Sequence, residues 1–441
     1  MAATLTVERL IEDLTPAERA RAERVESVLP ALRDAAVEAD RNGEFPLEHV
    51  KTLSEAGLLG LVVPERFGGL GGGLRDLVGA CFAMGTACPS TALAFFFHNS
   101  SASRGLLPLE AADAGLFDAT EEPEVRAFAE RLLSRMGEGR WMANFASESA
   151  KSSTAAISIS TSAEPGTSED GRSGWFLSGV KSFGCATGVA DDYLVTASLP
   201  GGSTAEHLAV FMVDRRADGV GERQRWDAIG MRATATHGIT LENVFVPDED
   251  ALGMPGSFVK MMQMSRGSFV GSQIAGTACY LGAARAVYDF TLEHLTSNTF
   301  ADTGRPIGTA PFQQQLIGDM TMHLSTATQW LRRQLELETS EPPLLAKDEV
   351  VRNWRIAKGT ISEEGFAVAQ CALKACGTSN TTFSGLVSRM FRDLSMGLVQ
   401  AFPAERGRLE AAASIVTGSE STQFGAAQKP GPAQQSGPAQ Q

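Results

Sequence analysis

Cysteine is scarce in this chain, and its placement excludes the usual reasons for having it. The six residues Cys81, Cys88, Cys185, Cys279, Cys371 and Cys376 form no CxxC pair. They form no cluster with histidine at metal-ligand spacing either. Buried free thiols in a reducing compartment are expected. Positive charge is also short. Lys and Arg number 38 against 52 Asp and Glu, for a net charge of −14. That balance excludes the basic face of a nucleic-acid binder. Long apolar runs are missing. "GLLGLVV" and "TALAFFF" are too short to cross a bilayer. The opening stretch "MAATLTVERLIEDLTPAERARAER" lacks the apolar core of a signal peptide. A dinucleotide fingerprint is missing too. In "PERFGGLGGG" the G-x-G-x-x-G spacing from Gly69 arrives at Leu74. With 43% hydrophobic and 20% charged residues, the expectation is a cytoplasmic globular enzyme or binding protein without membrane insertion.

What is present falls into textures. Thr15-Pro16-Ala17-Glu18 reads as a capping box. Val25, Val28, Leu29, Leu32, Ala36 and Val37 then follow at one-sided helical spacing. "PLEHVKTLSEAGLLGL" predicts a second helix with Gly57 as its C-terminal stop. From Trp141 the chain becomes short β-branched and aromatic runs punctuated by Gly, Asp and Pro, which predicts about six antiparallel strands in a barrel or sandwich. Helical texture returns near Ser257. The final Gln/Pro/Gly/Ser stretch is low-complexity. The predicted division is an all-α domain over 1–140, a middle β-barrel over 141–255, a C-terminal helical bundle over 256–420 and a disordered tail over 421–441.

This order, with several motifs in register, resembles the acyl-CoA dehydrogenase superfamily of flavoproteins. "WDAIGMRATATHGITLENVFVP" is similar to the family's G-M-R-x-[ST]…F-x-x-V-x-V-P stretch. "FASESAKSSTAAISIST", "LSGVKSFGCATGVADDYLV" and "GRPIGTAPFQQQLIGDM" match further family motifs. The resemblance implies an α+β multi-domain fold with helical, β-barrel and four-helix-type units. It implies FAD as cofactor, with FMN as the alternative. It places backbone of Ala146 and the hydroxyls of Ser147 and Ser153 at the flavin edge, and Phe183 against the ring. Cys185 stands where the family has a flavin-bonding Thr, and a thiol donates more weakly. Lys374, Gly377 and Thr378 stand where the family's Q-I-x-G-G-x-G meets the pyrophosphate. A homodimer or homotetramer is implied as well. Each residue alone also reads as an ordinary strand-end Ser or core Phe; the ordered set is what points to flavin.

A thioester dehydrogenase needs a carboxylate within reach of the substrate's α proton. The family's spacing from Arg392-Asp393 arrives at Ala401, and its second position falls at Ser272 or Gln273. Neither holds an acid. Glu405 is a candidate one turn further on, or else a solvated helix-start acid. His98 is a candidate acid/base, or else a buried helix histidine bonded to backbone. His237 and Arg232 are candidate substrate contacts; Arg232 also reads as structural. The expected activity is therefore oxidation of an acyl-CoA or acyl-carrier-protein thioester, with an electron-transfer partner. The alternatives are a monooxygenase fed by a flavin reductase and a silent structural paralogue.

Overall fold

The computed structural model describes residues 4–148, 159–202, 204–267, 273–418, 421–422 and 425–426. Ser153 and Ser272 lie outside them.

The first helix, α1 (Pro16–Asn42), starts where the sequence pattern puts it. Thr15 Oγ1 accepts from Glu18 N–H, and the Glu18 carboxylate returns a bond to Thr15 N–H. Val25, Val28, Leu29, Leu32 and Ala36 are buried, whereas Val37 lies off that stripe and is exposed. After α2 (Leu47–Glu55), Gly57 supplies the positive φ that turns the chain. Helices α3 (Leu74–Ala87), α4 (Pro89–Ser100), α5 (Ser103–Asp113) and α6 (Glu122–Gly137) complete the N-terminal layer.

The strands are β1 (Met142–Phe145), β2 (Ser162–Thr167), β3 (Ser173–Lys181), β4 (Asp192–Ser198), β5 (Leu208–Asp214), β6 (Val220–Glu222), β7 (Ile239–Pro247) and β8 (Ala251–Leu252). They form one sheet in the order β6-β7-β3-β2-β4-β5-β8, with β1 paired to β4. The expected middle β unit is present, as an open sheet rather than a closed ring. The edge strands β6 and β8, three and two residues long, pair with β7 and β5 and not with each other. The chain enters from α6 running alongside β4, so β1 and β4 pair parallel.

The C-terminal helices are α7 (Ser257–Met264), α8 (Gln273–Ser297), α9 (Pro311–Thr339), α10 (Lys347–Cys376), α11 (Leu386–Gly397) and α12 (Ala404–Thr417). Helix α8 lies directly on α3. A Cβ on Gly85 would stand 2.4 Å from Cys279 O, and one on Gly282 would stand 2.1 Å from Phe82 O. Only glycine permits that approach, so the N- and C-terminal helical layers share one core. All six cysteines are buried thiols. No described helix is long and apolar enough to cross a membrane.

Candidate functional site

The ends of β1 and β3 meet in a short bridge. Ser182 N–H donates to Ser147 O at 2.9 Å, and Ser147 pairs antiparallel with Phe183. This sets Ser147 and Phe183 opposite each other where the two strands end. Phe183 is 47% exposed, although burial of a ring that size would be favourable. Trp226 stands edge-on to it at 5.3 Å and is also exposed. His237 joins the group: its Nδ1 accepts from Trp226 N–H at 3.3 Å, which leaves the ring proton on Nε2. Burial draws the His237 pKa down, so the ring is neutral near pH 7. Cys185 lies behind this surface. Its sulfur accepts from the Thr236 hydroxyl at 3.1 Å, and burial pushes the thiol up to about 12. An open aromatic face edged by a hydroxyl and half-buried backbone at Ala146 fits a flavin ring. Trp226 is a member of this group that the motif reading did not single out. It lies inside the "WDAIGMR" match, and an aromatic ahead of a turn was the available signal.

Beneath the bridge lies a buried ion pair. Lys181 Nζ reaches Glu148 Oε1 at 2.7 Å and Thr196 O at 2.5 Å. Glu148 also accepts from the backbone N–H and hydroxyl groups of Ser160 and Thr161. Burial pushes the Glu148 pKa up. The bonds from Lys181, Ser160 and Thr161 outweigh that and hold it down to about 2. Lys181 directly precedes the Ser182–Phe183 pair and Glu148 directly follows Ser147, so the ion pair fastens both halves of the bridge.

The Gly230-Met231-Arg232 turn is a junction of all three layers. Met231 is left-handed at φ 51°, and its N–H donates to buried Asp393 Oδ1 at 2.6 Å. Arg392 grips Asp40 at the end of α1 through two bonds. Arg232 donates from Nε to Asp40 O at 2.9 Å and from Nη1 to Asp227 and Ala228 O. Its donors are thus turned to the protein's own acceptors, and the Arg392-Asp393 pair serves the turn rather than a substrate. Burial raises the Asp393 pKa to about 6.

The segment around Ala401 holds no acid and is shaped by a lysine. Lys358 on α10 is buried and donates from Nζ to Gly397 O at 2.9 Å and to Phe402 O. These bonds hold the turn between α11 and α12. Ala401 occupies it at φ 64° with its side chain exposed. Burial lowers the Lys358 pKa to about 8. Glu405 is exposed in the first turn of α12, a position that favours an acid electrostatically. Gln273 opens α8 without a carboxylate. His98 is fully buried; Nε2 donates to Leu59 O at 2.7 Å and Nδ1 accepts from Met142 N–H at 2.9 Å. Burial lowers its pKa to about 4, so it is neutral with both nitrogens engaged. The structure therefore gathers Ala146, Ser147, Phe183, Cys185 and His237. Lys374, Gly377 and Thr378 stand elsewhere, exposed at the end of α10, and Arg232 and His98 brace the framework.

Comparison with known proteins follows the same division. Residues 15–109, 143–244 and 274–402 match the N-terminal, middle and C-terminal domains of acyl-CoA dehydrogenase. The chain is 29% identical over 395 residues to an L-evernosamine nitrososynthase of a Micromonospora species, covering 87% of this chain and 86% of that protein. It is 25% identical over 380 residues to a putative acyl-CoA dehydrogenase, YdbM, of Bacillus subtilis, covering 85% and 91% respectively. The solved structure of KijD3 in complex with FMN and a dTDP-amino-keto sugar superposes with a TM-score of 0.75 at 23% identity, covering 94% of this chain and 97% of that one.

Proposed function

This chain belongs to the acyl-CoA dehydrogenase superfamily and is a flavin-dependent oxidoreductase, and from that premise we propose that it is a two-component monooxygenase oxygenating an amine nitrogen. The observation that carries this reading is the turn between α11 and α12, where Ala401 and the Lys358 ammonium stand in place of a carboxylate. An α-proton cannot be taken there. The likeness to a nitrososynthase supports nitrogen as the acceptor atom. When bound, reduced flavin supplies two electrons to dioxygen, one oxygen atom going to the amine and the other leaving as water.

The chain's own residues hold and orient. Phe183 and Trp226 offer the face on which a flavin ring lies, with Ser147 and the Ala146 backbone as edge donors. His237, neutral with its proton on Nε2, presents a donor at the mouth of the site and orients a substrate oxygen. FMN delivered by a reductase is part of the proposal. Self-association is part of the proposal. Leu409, Ile415 and Val416 on α12 are 70%, 64% and 84% exposed, a patch that a second copy would cover.

A second reading, dehydrogenation of an acyl-CoA or carrier-protein thioester with a relocated base and an electron-transfer partner, draws support from the likeness to YdbM. One experiment separates the two. Purified protein is mixed anaerobically with oxidised flavin and butyryl-CoA, and separately with a flavin reductase, NADH, an amino sugar and oxygen. Bleaching by the thioester sinks the monooxygenase; amine-dependent product formation with oxygen supports it.

A further inference from the structure

Arg104, at the start of α5, is 6% exposed, yet its Nη1 has neither a hydrogen-bond acceptor nor solvent. Among the described residues it forms no ion pair. Its one charge-related contact is the ring of Phe258 on α7, 5.6 Å from the guanidinium carbon. Burial lowers its pKa only to about 10, so it carries a full charge at pH 7. A buried cation normally has an anion beside it, because desolvation is otherwise uncompensated. Every other arginine buried to this degree has such compensation nearby: Arg355 faces Glu410, and Arg389 lies one helical turn from Asp393. Arg104 has none.

A second unpaired donor lies close by. Ser257, the residue before Phe258, is completely buried, and its hydroxyl is likewise without a partner. Donors without acceptors thus stand on α5 and on α7, two helices that pack together. The backbone of this turn is tied to β1. Arg104 N–H donates to Ser101 O at 2.9 Å, and Ser101 Oγ accepts from Asn144 Nδ2 at 2.6 Å. Asn144 is on β1, three residues and about 10 Å before Ser147.

We infer that Arg104 is the anion-binding residue of the substrate site, taking a carboxylate or phosphate oxygen of the substrate on its free guanidinium edge with Ser257 Oγ as second donor. The planar fork suits either anion. Entry turns the Phe258 ring aside from the guanidinium. The inference rests on the proposed flavin site for its orientation: the anionic end of the substrate lies toward α5 and α7, and the reacting nitrogen toward Phe183.

The test uses the full chain with and without oxidised FMN. Wild type, Arg104→Met and Arg104→Lys are melted at constant ionic strength in chloride, acetate, inorganic phosphate and pyrophosphate. Hydrogen exchange is followed across residues 99–110 and 257–264. In wild type, acetate or a phosphate raises Tm over chloride and slows exchange in both segments. Arg104→Met loses both effects, and Arg104→Lys keeps part of them. A response to acetate assigns a carboxylate; a response only to the phosphates assigns a phosphoryl group. No rise in Tm and no slowing in wild type overturns the inference, as does an equal response in Arg104→Met. If Arg104→Met does not fold, wild-type exchange alone decides. FMN binding is read separately by absorbance, so an anion response without flavin binding would sink the flavin reading and leave Arg104 in place.

Discussion

Lys181 Nζ lies 2.7 Å from Glu148 Oε1, with the two side chains 0% and 2% exposed, directly under the residues that shape the proposed flavin shelf. Breaking one half of such a pair leaves the other charge buried and unpaired. Lys181→Met is therefore expected to cost about 3–5 kcal/mol of stability. The double variant Lys181→Met/Glu148→Gln should recover part of that loss, because no bare charge remains. Chemical denaturation of the four proteins in a double-mutant cycle measures the coupling.

The same pair sets an acid limit. Glu148 titrates lower in the folded protein than its ordinary value of 4.5. The stability it contributes is complete above pH 4.5 and is lost as pH falls toward 2. Glu148→Gln should flatten that part of the acid-unfolding curve, measured by far-ultraviolet circular dichroism.

His98 is depressed from 6.5 to about 4, so protonation opposes the fold. Its contribution is whole above pH 6.5 and disappears as pH falls through 4. His98→Ala should lower Tm, since Leu59 O and Met142 N–H lose their partner. Its effect on kcat in the surviving folded fraction should stay within about threefold, as for a residue that touches no reacting atom.

Arg232 ties α1 to the sheet through Asp40 O and Ala228 O. Arg232→Ala is expected to cost about 2–3 kcal/mol. KM for substrate should be unchanged, as shown by steady-state kinetics beside a melting curve. Glu405→Ala should change neither, since Glu405 is an exposed helix-start acid.

Much of this molecule is readable from residue patterns that act locally. The Thr15–Glu18 capping box, the αL stop at Gly57 and the strand texture after Trp141 depend on neighbours in sequence, and each has its expected counterpart. Sheet closure depends on which distant strands pair. The parallel partnership of β1 with β4 and the very short β6 and β8 are not encoded in alternation. A motif names Phe183 and Ser147 in the sequence, and the fold pairs the two across one bridge. The site was not legible where two residues act only together. Glu148 and Lys181 are 33 apart in sequence, and Lys358 meets Phe402 O across 44. Charged residues inside apolar strand or helix faces were the available signal, and only the fold shows what each one reaches.

Whether a flavin lies on the Phe183 ring is decided by titrating the protein with oxidised and reduced FMN under anaerobic conditions. Wild type and Phe183→Ala are compared by equilibrium dialysis. The reduced form should bind more tightly, and Phe183→Ala should lose roughly 10–100-fold, the cost of about 1.5–3 kcal/mol of buried ring contact. Equal affinity for flavin in the two proteins would contradict a flavin on that ring.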